Sequence, residues 1–346
     1  MEFNWLLVKH PLLSWYKKHH RDLPWRKTKD PYCIWLSEIM LQQTRVEAVK
    51  GYYEHFLSEL PDIEALSKVS DDRLLKLWEG LGYYNRARNL KKAAIQIMEE
   101  YNGIFPAEYE EVLSLCGVGE YTAGAICSIC FDKDTPAVDG NVLRVVMRIL
   151  DCYDNIDDLK TKRQVKKWLT KLYSEGDCGD LTQALMELGA TVCIPNGMPN
   201  CKECPLHTIC LACKKKTYDR LPVRKEKKKR RIEEMTVFVL HDGDEYAIRK
   251  RDNKGLLAGL WEFYHMDRKM TRQQAMDFIS EQGFCPLHIE REVPYTHVFS
   301  HVEWKMTAYY ISCCNKKKDL TWIHRKEFDE SYALPTAFRF FLEKEE

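Results

Sequence analysis

Long hydrophobic runs are missing from this chain. Nowhere among its 346 residues do about 18 consecutive apolar residues occur, so no membrane-spanning helix is expected. The apolar stretch Met1–Trp15 has no basic segment ahead of it and is interrupted by Lys9, His10 and Pro11. No signal peptide is therefore expected there, and the stretch is expected to be an amphipathic helix packed on the first domain. Charge of one sign is missing too: 53 Lys and Arg against 52 Asp and Glu give a net charge of +1, and composition alone announces no nucleic-acid partner. There is no internal repeat and no low-complexity tract beyond one basic segment. The 14 cysteines come without a secretory signal, so a disulfide framework is not expected; reduced thiols plus one metal cluster fit better.

What is present is a globular composition, 45% hydrophobic and 30% charged, in a chain longer than one core usually organises. Up to residue 213 apolar residues recur at three- and four-residue spacing. This predicts helices over Ile34–Val49, Asp72–Trp78, Arg88–Tyr101, Tyr121–Phe131, Val142–Leu150, Lys162–Tyr173 and Leu181–Ala190. Between Lys214 and Arg231 stand eleven Lys or Arg, two acids and a single Pro222, a solvated and extended linker that is either a spacer or a DNA-backbone contact. Beyond Ile232 the pattern changes. Met235–Leu240, Tyr246–Arg249 and Thr307–Ser312 read as strands, and Thr271–Gln282 and Thr336–Lys344 as helices. The expected organisation is a helical domain over 1–213, a linker over 214–231 and a smaller α+β domain over 232–346.

Four features carry chemistry. Leu115-Cys116-Gly117-Val118-Gly119-Glu120-Tyr121 places two glycines before a helix, a turn that exposes backbone N–H groups to an anion, although plain helix–turn–helix corners look the same. Cys193, Cys201, Cys204 and Cys210 form a C-x7-C-x2-C-x5-C array suited to [4Fe–4S] or zinc; Cys213 adds a second C-x2-C and with it a zinc alternative. The remaining nine cysteines default to buried or inert residues. Glu38 shares a helix face with Ile34, Trp35 and Leu41. A helix glutamate is ordinarily solvated, but one set in an apolar face is desolvated, keeps its proton near neutrality and suits general acid catalysis. Asp139 precedes the Val142–Leu150 helix, where an Asp ordinarily caps; held at a helix N-terminus it stays ionised. One protonated and one ionised carboxyl is the pairing that breaks glycosidic bonds.

Taken together, Ser37–Thr44, Gly80–Arg88, Gly117–Ala123, Val138–Asn141 and the cysteine array resemble the MutY-type adenine DNA glycosylases of the endonuclease III-like superfamily. The resemblance implies an all-α helix-hairpin-helix glycosylase domain with a [4Fe–4S] cluster loop, held here by Cys193, Cys201, Cys204 and Cys210. The first gap is one residue longer than the family's usual spacing, and Cys116 stands where relatives often have proline. It implies that Glu38 protonates adenine at N7, that Asp139 stabilises the oxocarbenium ion, and that Tyr121 and Asn141 support them. Tyr121 also occupies the place of the Schiff-base lysine of bifunctional relatives, so strand cleavage should be weak or absent. By the same resemblance Trp25, Arg26 and Gln183 surround the extruded adenine, Gln43 and Tyr83 enter the duplex, Thr44 and Leu81 touch the opposite base, and Gly117 and Gly119 hold a phosphate. A glycosylase must flip its target base out of the stack.

The segments Leu256–Phe263 and His297–His301 resemble the Nudix-like C-terminal domain of the same family, with Phe299, Ser300 and His301 reaching 8-oxoguanine. Read alone, those three are an ordinary strand turn. Gly255 and Gly259 begin no Nudix magnesium array, which points to recognition and not hydrolysis. The implied partner is double-stranded DNA with adenine opposite 8-oxoguanine or guanine, bound by a cytoplasmic monomer without membrane contact. A pyrimidine glycosylase with lyase activity, a nucleotide-pool Nudix hydrolase and a non-catalytic DNA-binding scaffold are the competing readings.

Overall fold

A computed structural model describes residues 3–174, 176–226, 229–252 and 254–343. Met1 and Glu2 of the expected N-terminal helix, Lys227 and Lys228 of the linker, and Lys344 of the last helix lie outside the described residues. The chain divides into two compact units, one of Met1–Val69 with Arg88–Glu226, the other of Ser70–Ala87 with Lys227–Glu346.

The first unit is helical. Its central helix, Cys178–Thr191, packs against helices Leu6–His19, Glu120–Phe131 and Gly140–Leu150. Burying Leu181, Ala184, Leu185 and Leu188 with Val142, Val145, Val146 and Ile149 removes two apolar stripes from water at once. The expected Ile34–Val49 helix is two helices, Pro31–Leu41 and Val46–Glu59. The break falls where Gln43 takes a left-handed φ of 61°, a conformation that a continuing helix cannot contain. The Asp71–Leu77 helix was expected in the helical domain but groups with the sheet unit.

The second unit is one mixed six-stranded sheet. Its strands are β1 (Arg231–Asp242), β2 (Glu245–Lys250), β3 (Trp261–Met266), β4 (Pro286–Val298), β5 (Val302–Cys313) and β6 (Thr321–His324), in the order β4-β5-β1-β3-β2-β6. β1 and β5 pair in parallel and the other neighbours are antiparallel. Alternation along β1 sends Met235, Val237 and Val239 to one face with Phe338 and Phe341 of the Thr336–Glu343 helix. Phe238 and Leu240 go to the other face with Ala275 and Ile279 of the Arg272–Glu281 helix. Helices thus cover both faces of the sheet.

The basic linker is not free over its first half. Leu211–Lys215 is helical, Tyr218–Arg220 forms a 3-10 turn, and Leu221 is buried. Cys285 and Cys314 are disulfide-bonded at the end of the β4–β5 pair, which removes two residues from the set expected to be inert thiols. Among the described residues no helix is long and apolar enough to cross a membrane.

Candidate active site

The Pro31–Leu41 helix starts at Asp30, whose carboxylate accepts the Tyr32 N–H, and Pro31 occupies the first helical position. With eight of its residues buried, this helix carries Glu38 inward at 6% exposure. Opposite it, the turn at Gly117 takes a φ of 77°, and a Cβ there would meet Asn89 Cβ at 2.5 Å, so only glycine fits. Gly119, extended at the N-cap, starts the Glu120–Phe131 helix and sets Tyr121 over Glu38. The Tyr121 hydroxyl donates to Glu38 Oε2 at 2.6 Å.

Asp139 is the N-cap of the Gly140–Leu150 helix: its Oδ1 accepts the Val142 N–H and its Oδ2 the Asn141 side-chain amide, both at 2.7 Å. Arg144 fixes Asn141 in turn, donating to its Oδ1 and to the Gly189 carbonyl at 2.8 Å each. The capping role and the place in the site are held by the same carboxylate.

Burial is the strongest influence on both acids. It pushes Glu38 up to about 7, with the negative Asp139 adding to it and the Tyr121 hydrogen bond and Arg26 working against it. It also pushes Asp139 upward, against the pull of the Val142 N–H, the Asn141 amide and the Arg144 charge. The helix terminus alone therefore does not set the state of Asp139, as the sequence had suggested. Tyr121 stays a neutral donor, since burial and the two carboxyls hold it far above the ordinary phenol range.

Glu38, Tyr121, Asp139 and Asn141 line one cavity of about 900 Å³ together with Trp25, Arg26, Gln43, Thr44, Gly119 and Gln183. Arg26 is locked by Glu187, a carboxylate with 0% side-chain exposure that also takes two side-chain bonds and the backbone N–H from Arg21. Burial opposes the charge on Glu187, but the bonds from Arg21 and Arg26 outweigh it and hold the acid at about 2. Sequence reasoning missed this pair, because nothing in a single chain announces a contact across 166 positions. Leu81 and Tyr83 do not line the cavity; they belong to the sheet unit, Leu81 buried and Tyr83 exposed. There the Tyr83 hydroxyl lies 2.6 Å from Ser300 Oγ. Phe299, Ser300 and His301 form the β4–β5 turn, closed by the Phe299 N–H on the Val302 carbonyl, with Phe299 packed edge-on to Trp304.

Cys193, Cys201, Cys204, Cys210 and Cys213 surround a separate small cavity of about 30 Å³ with Arg148. Arg148 Nη1 lies 3.2 Å from Cys193 Sγ. Burial pushes Cys201 up to about 11 and Cys204 to about 12. Five sulfur donors converging on one small cavity, four of them in the C-x7-C-x2-C-x5-C array, fit a thiolate-held iron–sulfur group. Among the described residues no three histidine, cysteine or carboxylate groups are arranged to hold a single metal ion.

This fold and this carboxyl pocket define a base-excision DNA glycosylase of the helix-hairpin-helix class joined to a Nudix-type sheet. Residues 36–171 match the HhH-GPD superfamily of base excision DNA repair proteins, and residues 236–344 match the NUDIX domain. The adenine DNA glycosylase of Buchnera aphidicola from Acyrthosiphon pisum is 32% identical over 84% of this chain and 82% of its own length. The human adenine DNA glycosylase is 31% identical over 95% of this chain and 72% of its own, and that of Arabidopsis thaliana 33% identical over 86%. The chain spans 56% of the Arabidopsis protein's length. The helical fold is that of a thermostable thymine-DNA glycosylase (TM-score 0.56, 29% identity, 61% of this chain, 97% of the other). It is also that of a trapped endonuclease III–DNA covalent intermediate (TM-score 0.53, 24% identity, 62% of this chain, 100% of the other). The chain belongs to the adenine DNA glycosylase family.

Burying Glu38 has a thermodynamic signature. Its folded pKa of about 7 lies above the ordinary 4.5, so the neutral acid is favoured on folding. That contribution is complete below pH 4.5 and is lost as pH rises to about 7, above which the buried charge costs on the order of 3 kcal/mol. Glu38→Gln should therefore be more stable than the parent at alkaline pH and converge with it near pH 4.5, as measured by urea unfolding at several pH values. A difference that does not change with pH would mean that Glu38 titrates as an exposed acid.

Proposed function

We propose that this chain hydrolyses the N-glycosidic bond of adenine opposite 8-oxoguanine or guanine in double-stranded DNA, without efficient strand cleavage. The observation that carries the reading is Glu38, half-protonated near neutral pH, sharing a cavity with Asp139 and held by Tyr121. Tyr121 occupies Oε2, which leaves Oε1 to carry the proton toward N7 of an extruded adenine. Protonation makes the base a better leaving group, and the positive charge that develops on the sugar is met by Asp139. Arg26, locked by Glu187, and Trp25 and Gln183 form the adenine pocket. Tyr121 provides no amine for a Schiff base, so the product should be an abasic site with its strand intact.

Cys193, Cys201, Cys204 and Cys210 would hold a [4Fe–4S] cluster, with Cys213 outside the ligand set; its service is to brace the loop and not to react. Gln43 and Thr44 line the same cavity, and in this reading Gln43 enters the duplex and Thr44 touches the opposite base. In the sheet unit, Ser300 has both a donor and an acceptor with which to read the edge that 8-oxoguanine changes, and Tyr83 hydrogen-bonds to it. The phosphate-gripping hairpin is the turn at Gly117 and Gly119. No membrane partner is proposed.

Single-turnover release of adenine from duplexes that differ only in the opposite base tests the reading directly. The rate should fall as pH rises through about 7, because the acid is then lost. A rate independent of pH across neutrality would remove Glu38 from that role. The Ser300→Ala, His301→Ala double variant should keep adenine excision but lose about 1–3 kcal/mol of preference for the 8-oxoguanine duplex over the guanine duplex. An unchanged ratio would place discrimination in Thr44 and Leu81. The purified protein should be yellow-brown and should bleach as iron is stripped; a colourless protein with stoichiometric zinc would overturn the cluster and bring Cys213 into the ligand set.

A further inference from the structure

The strap that follows the cysteine array brings one cation to the mouth of the cavity. Arg148 Nε donates to the carbonyls of Tyr218 and Leu221 at 3.1 and 3.0 Å, and Leu221 is buried. The Ile156 N–H donates to the Val223 carbonyl at 3.1 Å. The Lys225 N–H donates to Asp157 Oδ2 at 2.9 Å, and Lys225 Nζ pairs with Asp158 at 2.7 Å. Residue 224 is therefore clamped on both sides by the helical unit. Its side chain lines the cavity, with Nη2 at 3.6 Å from where a Cβ on Gly140 would stand, next to Asp139. Among the described residues Arg224 has no hydrogen-bond or ion-pair partner, unlike Arg21, Arg26, Arg144 and Arg148 around it. Lys162, Arg163 and Lys166 of the Leu159–Tyr173 helix line the same cavity, as do Glu120, 3.9 Å from Lys166, and Asp157.

A base can enter this cavity only if its own sugar and phosphates are drawn to the mouth. Phosphate contacts set the register of a protein on DNA, and a guanidinium matches two phosphate oxygens at once. We infer that Arg224 binds a phosphate flanking the extruded nucleotide, so that the strap following the cysteine array is part of the catalytic surface. The inference rests on the glycosylase reading above and adds to it a residue that the charge run alone did not single out.

The test compares full-length Arg224→Gln and Arg224→Lys with the parent. Each is titrated with a duplex carrying adenine opposite 8-oxoguanine over a range of salt concentrations, in the presence of Glu38→Gln to prevent turnover. Removing one phosphate contact should weaken binding roughly tenfold at low salt and reduce the slope of log K against log[salt] by about 0.9; Arg224→Lys should recover the slope. The urea unfolding midpoint should be the same in all three, which separates loss of a contact from loss of the fold. Equal affinity and equal slope for Arg224→Gln would overturn the assignment, as would a slower base release at saturating protein, measured with Glu38 intact, with the slope unchanged. If the parent itself neither binds the duplex nor releases adenine, the glycosylase reading falls and this inference with it. A competent parent matched by Arg224→Gln sinks the inference alone.

Discussion

An acid that is to give up a proton at neutral pH must be kept from giving it up to water, and the helical unit is arranged around that constraint. Glu38 reaches its position because the Pro31–Leu41 helix is buried on nearly every side, and Tyr121 meets it because the Gly117 turn can take a backbone angle closed to other residues. Burial keeps the proton on Glu38, and the Tyr121 hydrogen bond, which works against burial, fixes the carboxyl in place without outweighing it. The second acid depends on a different economy of donors. Burial raises Asp139 too, and it is opposed there by a cap N–H and by an amide that Arg144 fixes from behind. Arg144 and Arg148 then reach the cysteine segment, through the Cys193 carbonyl and sulfur, so the site and the thiol ring share one helix as their support.

Much of this was legible in the sequence, for identifiable reasons. Apolar periodicity located the Glu120–Phe131, Gly140–Leu150 and Cys178–Thr191 helices because burial of one face is what makes those helices form. Glu38 was legible as a desolvated acid because its apolar neighbours lie within one turn of it. The break at Gln43 was not, since Leu41 and Val46 continue the apolar rhythm across a turn that only the backbone angle reveals. β4 was missed because it alternates half-buried with exposed residues and carries Pro294. The Arg21–Glu187 lock, the Tyr83–Ser300 contact and the Cys285–Cys314 bond all join positions far apart in the chain, where local patterns are silent.

The basic strap shows how composition misleads. Eleven cations over a short segment read as solvated chain, yet its anchors include backbone carbonyls and one buried leucine, which charge counting does not register. The sheet unit holds the converse case. Glu262 is an acid on a strand and buried, tolerated because Arg249 and Arg251 both pair with it, and burial beside those cations holds His265 down at about 3. Polar residues at core positions here mark paired clusters.

The assignment of Ser70–Ala87 to the sheet unit bears on how the chain is made. Glu79 accepts from the Leu334 N–H and from Arg339, the latter contact 260 positions away, and Lys76 donates to the Phe328 carbonyl. A polypeptide emerging from the ribosome would present this segment early and its partners last, with most of the helical unit synthesised in between. The helical unit's own excluded segment must therefore wait, unpaired, while its surroundings condense. The two units are thus interleaved in time as well as along the chain, and neither can be cut away at a single bond without orphaning part of the other.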